Sequence, residues 1–244
     1  MKIYAFIPAR YDSKRFPGKT LARIAGRPMI QHVYERALSC PELSGVYVAT
    51  DDERISDCVR GFGGKAIMTR KSHCCGTDRI CEAAVNMGLN KEDLVLNIQG
   101  DQPLFHPSVI SQLVTPLVED QSIYMTTLKY KITDKNEIPN PNHVKVVTDR
   151  QGFALYFSRS PVPFFRDEKS ERVYYKHLGF YCFRMDFLVK FSSLSEGFLE
   201  SVEKLEQLRP LEYGYKIKVL ESPFDSIEVD LPENIKMVEE SLRG

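Results

Sequence analysis

The sequence has no tryptophan and no excess charge of either sign, since 33 lysines and arginines balance 33 aspartates and glutamates. Nucleic-acid-binding proteins usually carry a basic excess, so we expect no nucleic-acid partner. No run of about eighteen apolar residues is present, which predicts no membrane-spanning helix. The apolar stretch at the N-terminus is too short for a secretory signal. These absences predict a soluble, cytoplasmic protein.

Zinc and disulfide motifs are also absent. None of the six cysteines forms a C-x-x-C pair, and the five histidines show no H-x-x-x-H spacing. In a reducing compartment, most of the thiols are expected to be small core residues. The adjacent Cys74 and Cys75 are either such core residues or a reactive pair. Any metal ion must therefore be held by oxygen ligands.

Two nucleotide-binding fingerprints are missing as well. The sequence contains neither G-x-G-x-x-G nor G-x-x-x-x-G-K-[ST]. The first absence excludes a dinucleotide-dependent dehydrogenase, and the second excludes a P-loop nucleotidase.

What is present is the composition of a globular domain, with 43% hydrophobic and 27% charged residues over 244 positions. Apolar strand patterns and helical patterns alternate over the first hundred residues, the last strand running from 94 to 101. This alternation predicts an α/β fold with a doubly wound, mostly parallel sheet. Strand patterns dominate from about 125 to 185, including 154–163, and one helix is predicted over 201–214. We expect a single domain, 1–244, with a β-rich insertion at about 125–185 for dimerisation or closure.

The loop after the first strand is rich in cations. Arg10, Arg15 and Lys19 lie close to Gly18, where ligands bind in a doubly wound sheet. Guanidinium groups match phosphate oxygens, so the loop predicts a polyphosphate site. The alternative is a solvated basic loop, which the position at the strand end disfavours.

Two aspartates are candidate magnesium ligands. Asp101 follows the most hydrophobic strand and Gly100, so its side chain is expected in the ligand crevice. It lies several residues too early to cap the next helix. Asp230 precedes a helix whose first turn holds Pro232, and from spacing alone it is either a helix cap or a ligand.

The segment I-P-A-R-Y-x-S-x-R-F-P-G-K-T-L at Ile7–Leu21 resembles the nucleotide-binding signature of the sugar-acid cytidylyltransferases. Further motifs follow in family order: VATDDERI, GTDR, NIQGDQP, HVKVV, ALYFSRSPVP, KHLGFYCFR, SVEKLEQLR and EVDLPENI. Together they resemble, nearly end to end, the family of 3-deoxy-manno-octulosonate (Kdo) cytidylyltransferases, or CMP-Kdo synthetases.

This resemblance implies a nucleotidyltransferase-like fold and a homodimer. The implied reaction transfers CMP from CTP to the anomeric hydroxyl of a Kdo sugar, releasing pyrophosphate, for lipopolysaccharide biosynthesis. Mg²⁺ is the implied cofactor, held by Asp101 and Asp230, as one ion or two. The implied catalytic residues are Lys19, Arg15, Asp101 and Asp230. The implied nucleotide-binding residues are Pro8, Ala9, Arg10, Ser13, Gly76, Thr77, Arg79 and Gln99. The implied sugar-binding residues are Arg159, His177, Tyr181, Glu206 and Gln207.

Spacing alone favours plainer roles for two of these residues. His177 is then a half-buried histidine with a satisfied ring, and Glu206 is a solvated helix residue. A catalytically silent sugar-nucleotide-binding protein is disfavoured because Lys19 and both aspartates are present. A cytidylyltransferase for sialic acid or a polyol phosphate is disfavoured by KHLGFYCFR and EQLR.

Two segments depart from the commoner family pattern. Gln102 stands where the family usually has glutamate, and Phe224–Asp230 lacks the glycines of many members. Both departures resemble the branch that activates the 8-amino-3,8-dideoxy sugar, for which Asp225 or Glu228 is a candidate ammonium contact. The sequence leaves the choice between Kdo and its 8-amino form open.

Overall fold

A computed structural model describes residues 1–12, 15–73, 75–167 and 172–242. The strands are β1 (Ile3–Ala9), β2 (Arg23–Ile24), β3 (Arg27–Pro28), β4 (Gly45–Thr50), β5 (Ala66–Met68), β6 (Leu94–Asn97), β7 (Met125–Lys131), β8 (Lys145–Thr148), β9 (Ala154–Ser158), β10 (Tyr175–Arg184) and β11 (Lys218–Glu221). The α-helices are α1 (Met29–Leu38), α2 (Glu53–Gly61), α3 (Gly76–Asn86), α4 (Ser108–Glu119), α5 (Met185–Ser193), α6 (Phe198–Glu203), α7 (Leu208–Glu212) and α8 (Asn234–Ser241).

The central sheet has the strand order β11–β7–β10–β6–β1–β4–β5. β1 pairs in parallel with β4 and β6, β4 pairs in parallel with β5, and β7 pairs in parallel with β11. β10 runs antiparallel to both of its neighbours in this order. The predicted mostly parallel α/β sheet is confirmed.

Alternate residues of the strands face opposite layers of helices. In β1, Ala5 and Ile7 belong to a core with residues of α1, α2 and α4, whereas Phe6 belongs to a core with residues of α3 and α5. In β6, Leu94 and Leu96 face the first core and Val95 the second. This period of two follows from the pleat of a strand. Helices therefore cover both faces, and the carboxyl ends of β1 and β6 open at the same edge.

The β-rich stretch from about 125 to 185 contributes strands to this sheet. β7 and β10 occupy central positions, while β8 and β9 form an antiparallel extension from β10. The turn between β8 and β9 is closed by Asp149, whose Oδ1 accepts from the backbone N–H groups of Gln151 and Phe153, each at 2.8 Å. A role of this stretch in dimerisation or closure stays a prediction.

A small third core fastens the C-terminal segment over the loop that follows β1. Ile24 and Met29 pack with Val229 and Val238 of the segment that ends in α8. The backbone N–H of Val229 also donates to the carbonyl of Asp101 at 2.9 Å. These contacts bring residues 228–230 beside the end of β6, although more than a hundred residues separate them in the chain.

Three predicted boundaries were wrong. β6 ends at Asn97 instead of 101, and β9 ends at Ser158 before two prolines that cannot donate to a sheet ladder. The helix predicted over 201–214 is two short helices, α6 and α7, separated by a turn in which Lys204 has a left-handed φ of 53°. Pro210 cannot donate an N–H to the carbonyl of residue 206, and it lies in the first turn of a new helix that begins at Leu208, where a missing N–H costs little.

Candidate active site

Two cavities open side by side beyond the carboxyl ends of β1 and β6. The loop cavity, about 440 Å³, is lined by residues of the loop after β1, the start of α3 and the end of β6. The β10 cavity, about 600 Å³, is lined by residues of β10, of the α6–α7 turn and of the segments 137–144 and 225–237. Arg15 and Gln99 line both cavities. A ligand in one cavity is thus adjacent to a ligand in the other.

Charged side chains meet at the junction of the cavities. The Lys19 ammonium lies 2.5 Å from Asp101 Oδ2 and 3.3 Å from Asp230 Oδ1, and the Arg15 guanidinium lies 3.0 Å from Asp230. Gly18, with a left-handed φ of 69°, turns the chain into the short helix Lys19–Leu21 that presents Lys19. Burial disfavours the charged ammonium, but the carboxylates of Asp101 and Asp230 outweigh it and raise the pKa of Lys19. Lys19 is therefore a fixed positive charge between the two predicted metal ligands.

A third carboxyl group, that of Glu228, joins this cluster. Oxygen atoms of Asp101, Glu228 and Asp230 lie within 4.8 Å of one another. Glu228 as a residue is exposed, but its carboxyl group is withdrawn from water beside Asp101 and Asp230, and this raises its pKa to about 8. Sequence analysis did not propose Glu228 as a ligand. The signal was its spacing, because residues two apart in an extended segment point to the same side and Val229 turns into the core.

The carboxylate cluster fits a magnesium ion. Asp101 Oδ1 is buried and has no hydrogen-bond partner among the described residues, so this oxygen is available as a ligand. Mg²⁺ prefers oxygen ligands and usually takes one or two protein carboxylates together with phosphate oxygens. The donor set therefore matches the predicted cofactor, which stays a prediction.

The predicted nucleotide-binding residues fall into two groups. Pro8, Arg10, Gly76 and Gln99 line the loop cavity. A side chain at Gly76 would place its Cβ 3.2 Å from Pro8, so glycine permits the close approach of α3 to β1. Ala9, Thr77 and Arg79 are buried and are absent from the lining of both cavities. Ser13 lies outside the described residues, as does Cys74.

Arg79 is fully buried behind the loop cavity. Its guanidinium donates to Thr69 Oγ1 at 2.6 Å and lies 3.2 Å from the carboxylate of Asp51. Burial lowers the pKa of Arg79, although the carboxylate of Asp51 opposes this shift. In this structure Arg79 joins α3 to the ends of β4 and β5, and its contact with a nucleotide stays a prediction.

His177 lines the β10 cavity as a neutral acceptor. Burial lowers its pKa to about 3. Thr127 donates its single hydroxyl proton to the Phe180 carbonyl at 2.7 Å, so the 2.8 Å contact between Thr127 Oγ1 and His177 Nε2 requires a proton on Nε2. Nδ1 is then the acceptor atom of the ring. Phe157 packs edge-on against this ring.

The remaining predicted sugar-binding residues line the same cavity. Tyr181 donates to Gln207 Oε1 at 3.1 Å, and Glu206 accepts from Thr77 Oγ1 at 2.7 Å. Arg159 is held in place by the carbonyls of Glu203 and Pro141, to which its guanidinium donates at 2.7 and 2.8 Å. All five predicted sugar-binding residues, which lie between positions 159 and 207, thus line the β10 cavity.

Sequence reasoning missed a buried lysine in this cavity. Lys176 Nζ lies within 3.0 Å of both carboxylate oxygens of Glu137 and 2.8 Å from Asp225. Burial opposes the charge, but these carboxylates raise the pKa of Lys176. Nearby, Ser226 donates to Gln102 Oε1 at 3.2 Å. Nothing in the local sequence around Lys176 signals burial, because its partners come from distant segments.

A mixed, mostly parallel sheet with cations and carboxylates beyond its strand ends defines a nucleotidyltransferase-like α/β protein. A family model described as cytidylyltransferase matches residues 4–217. The chain belongs to the cytidylyltransferase family, and the predicted enzyme class is confirmed.

Close relatives carry two names. A protein of Syntrophus aciditrophicus named 3-deoxy-manno-octulosonate cytidylyltransferase is 53% identical, covering 100% of this chain and 98% of the relative. A protein of Shewanella oneidensis named 8-amino-3,8-dideoxy-manno-octulosonate cytidylyltransferase is 54% identical, covering 99% of each chain.

A solved structure agrees with this assignment. The structure of CMP:2-keto-3-deoxy-manno-octonic acid synthetase complexed with CTP is 41% identical, with a TM-score of 0.92 over 100% of this chain and 99% of the other. A cytidylyltransferase from Leptospira borgpetersenii, 15% identical with a TM-score of 0.66, covers 100% of this chain and 87% of its own and shares the fold. No helix in the described ranges is long and apolar enough to cross a membrane.

Proposed function

We propose that this protein transfers CMP from CTP to the anomeric hydroxyl of a 3-deoxy-manno-octulosonate sugar, either Kdo or its 8-amino form, and releases pyrophosphate. The observation that carries the proposal is the junction of the two cavities, where Lys19, Asp101 and Asp230 meet. The names of relatives that are 53 and 54% identical over nearly the whole chain support the sugar class.

CTP binds in the loop cavity under this proposal. Arg10, Arg15 and Lys19 offset the charge of the triphosphate, since guanidinium and ammonium groups form short, charge-assisted hydrogen bonds with phosphate oxygens. The anomeric hydroxyl attacks the α-phosphorus in line and loses its proton to solvent, a new P–O bond forms, and the bond from the α-phosphorus to the oxygen shared with the β-phosphate breaks. Lys19 and Arg15 stabilise the negative charge that develops on the departing pyrophosphate.

Magnesium is proposed at the carboxylate cluster. Asp101 and Asp230 hold it, with Glu228 beside them. When bound, Mg²⁺ neutralises phosphate charge and lowers the pKa of a coordinated hydroxyl.

The sugar binds in the β10 cavity. His177 Nδ1, the Glu206 carboxylate and the Gln207 amide offer acceptors and donors for several hydroxyl groups, and Arg159 suits the sugar carboxylate. Because Gln99 and Arg15 line both cavities, they lie where the two substrates meet. Positioning of this kind supplies much of the rate enhancement in phosphoryl-group transfer.

The proposal includes a pathway and a compartment. The CMP-activated Kdo sugar is a donor for lipopolysaccharide biosynthesis, and the enzyme acts in the cytoplasm. The aromatic stretch from 153 to 183 is the proposed homodimer interface.

The test is pyrophosphate release with CTP and Mg²⁺, comparing Kdo and its 8-amino analogue side by side. We expect turnover with at least one sugar and none without a sugar. CTP binding without turnover of either sugar would refute the proposed sugar class and would leave the proposed CTP site in the loop cavity standing. The ratio of kcat/KM for the two sugars decides between them.

A further inference from the structure

Thr77 stands apart from the other residues predicted to bind the nucleotide. It is the second residue of α3 and only 1% exposed, and it lines neither cavity, whereas its neighbour Gly76 lines the loop cavity. Its partner is Glu206 of the α6–α7 turn, which lines the β10 cavity. Thr77 Oγ1 lies 2.7 Å from Glu206 Oε1, and the Thr77 N–H lies 3.4 Å from Oε2.

The hydrogen-bond directions in this contact are fixed. The Thr77 hydroxyl donates its single proton to Glu206 Oε1. The hydroxyl oxygen in turn accepts from Asn97 Nδ2 at 3.3 Å. Asn97 is fully buried at the end of β6. The chain of donors therefore runs from Asn97 through Thr77 to Glu206, across three elements.

The location of the carboxylate strengthens this arrangement. Glu206 receives two hydrogen bonds at the N-terminus of an eleven-residue helix, where backbone N–H groups and the helix dipole favour negative charge. A glutamate in a turn otherwise has three side-chain torsions free to rotate. The contact with Thr77 removes that freedom and fixes where the carboxylate stands in the cavity wall.

We propose that Thr77 is a positioning residue for the sugar site. Its hydroxyl holds the Glu206 carboxylate in place, and Asn97 in turn holds the Thr77 hydroxyl. The inference rests on the proposed function, because Glu206 is assigned there to the sugar. It assigns Thr77 to the sugar site instead of the nucleotide site. Its action is indirect, because its side chain lines neither cavity.

The test is steady-state kinetics of Thr77→Val, which keeps the shape of the side chain and removes the hydroxyl. We expect the KM for the sugar to rise about tenfold or more and the KM for CTP to stay within about twofold. Thr77→Ser keeps the hydroxyl and is expected to restore most of the affinity for the sugar. A matched control is Thr126→Val, because Thr126 is also fully buried but donates to the Leu113 carbonyl, away from both cavities.

The outcomes separate this inference from the proposed function. A rise in the KM for CTP with an unchanged KM for the sugar returns Thr77 to the nucleotide site and overturns the inference. Equal kinetic changes in Thr77→Val and Thr126→Val reduce the effect to lost stability and overturn it as well. Absence of turnover by the unaltered enzyme with either sugar refutes the proposed function instead, and CTP binding by Thr77→Val then tests the placement of Thr77 alone.

Discussion

The loop cavity and the β10 cavity are built in different ways. The loop cavity is formed by residues near the ends of β1 and β6, together with the start of α3, and full charges dominate its floor. The β10 cavity is gathered from segments as distant as 15 and 237, and hydrogen bonds and ion pairs between its side chains set its geometry. Under the proposed function, the loop cavity acts mainly through charge and the β10 cavity mainly through positioning. Substitutions in the two cavities should therefore have different effects on the kinetics.

The largest effect is expected from Asp101→Asn. It removes a charge that faces Lys19 at 2.5 Å and a proposed magnesium ligand. We expect kcat/KM to fall about 100-fold, which corresponds to about 2.7 kcal/mol, in a pyrophosphate-release assay. The control is Asp57→Asn, because the Asp57 side chain is 74% exposed on α2. Unchanged turnover of a folded Asp101→Asn protein would remove Asp101 from the reaction.

Lys19→Ala should act more narrowly, on the triphosphate. The variant loses a half-buried cation and leaves Asp101 and Asp230 facing each other without it. We expect about a 30-fold loss in kcat/KM for CTP, equal to about 2 kcal/mol, with a smaller change in the KM for the sugar. Lys190→Ala, on the exposed part of α5, is the control. Equal losses toward both substrates would mean that the two cavities are less distinct than proposed.

His177 predicts an acid-dependent loss of stability. Its pKa is lowered from 6.5 to about 3 in the folded protein, so below pH 6.5 the unfolded chain takes up a proton that the folded chain refuses. The contribution of the neutral His177 ring to the free energy of unfolding is fully present above pH 6.5 and is lost as the pH falls toward 3. Urea unfolding of His177→Gln between pH 7 and 4 should show a weaker decline than the unaltered protein.

The control for this measurement is His106→Gln, because His106 is an exposed histidine stacked on Phe224. A decline in His177→Gln as steep as in the unaltered protein would mean that His177 is protonated in the folded state.

The smallest effect is expected from Gln102→Glu, for which the added charge and the resemblance of Gln102 to the 8-amino branch predict opposite shifts in sugar preference. Gln102 is 4% exposed, lines the β10 cavity and accepts from Ser226 at 3.2 Å, and glutamate retains that acceptor. The added negative charge should favour an ammonium-bearing sugar. We expect the ratio of kcat/KM for the 8-amino sugar to that for Kdo to rise about threefold. A fall in this ratio would mean that the 8-amino group of the sugar does not bind near residue 102.

Much of the loop cavity was predictable from sequence. Asp101 follows a hydrophobic strand, and the cations of residues 10–19 follow another, so the rule for ligands at parallel strand ends brought them together. The location of Glu206 was not predictable from helix periodicity, which placed it in one long helix. Pro210 was the overlooked signal, since it lacks the N–H that would bond the carbonyl of residue 206 and is best tolerated in a first turn, which here belongs to α7 and follows Glu206.

By itself, the sequence determined the alternation of strands and helices, the mostly parallel sheet and the cation-rich loop at its edge. These features depend on local periodicity and on strand order, which neighbouring residues encode. The tertiary structure alone decided that Glu228 joins the two aspartates, that Lys176 is buried between two carboxylates and that Thr77 holds Glu206. Each of these contacts joins segments far apart in the chain, and packing of the whole domain, rather than local preference, sets their distance.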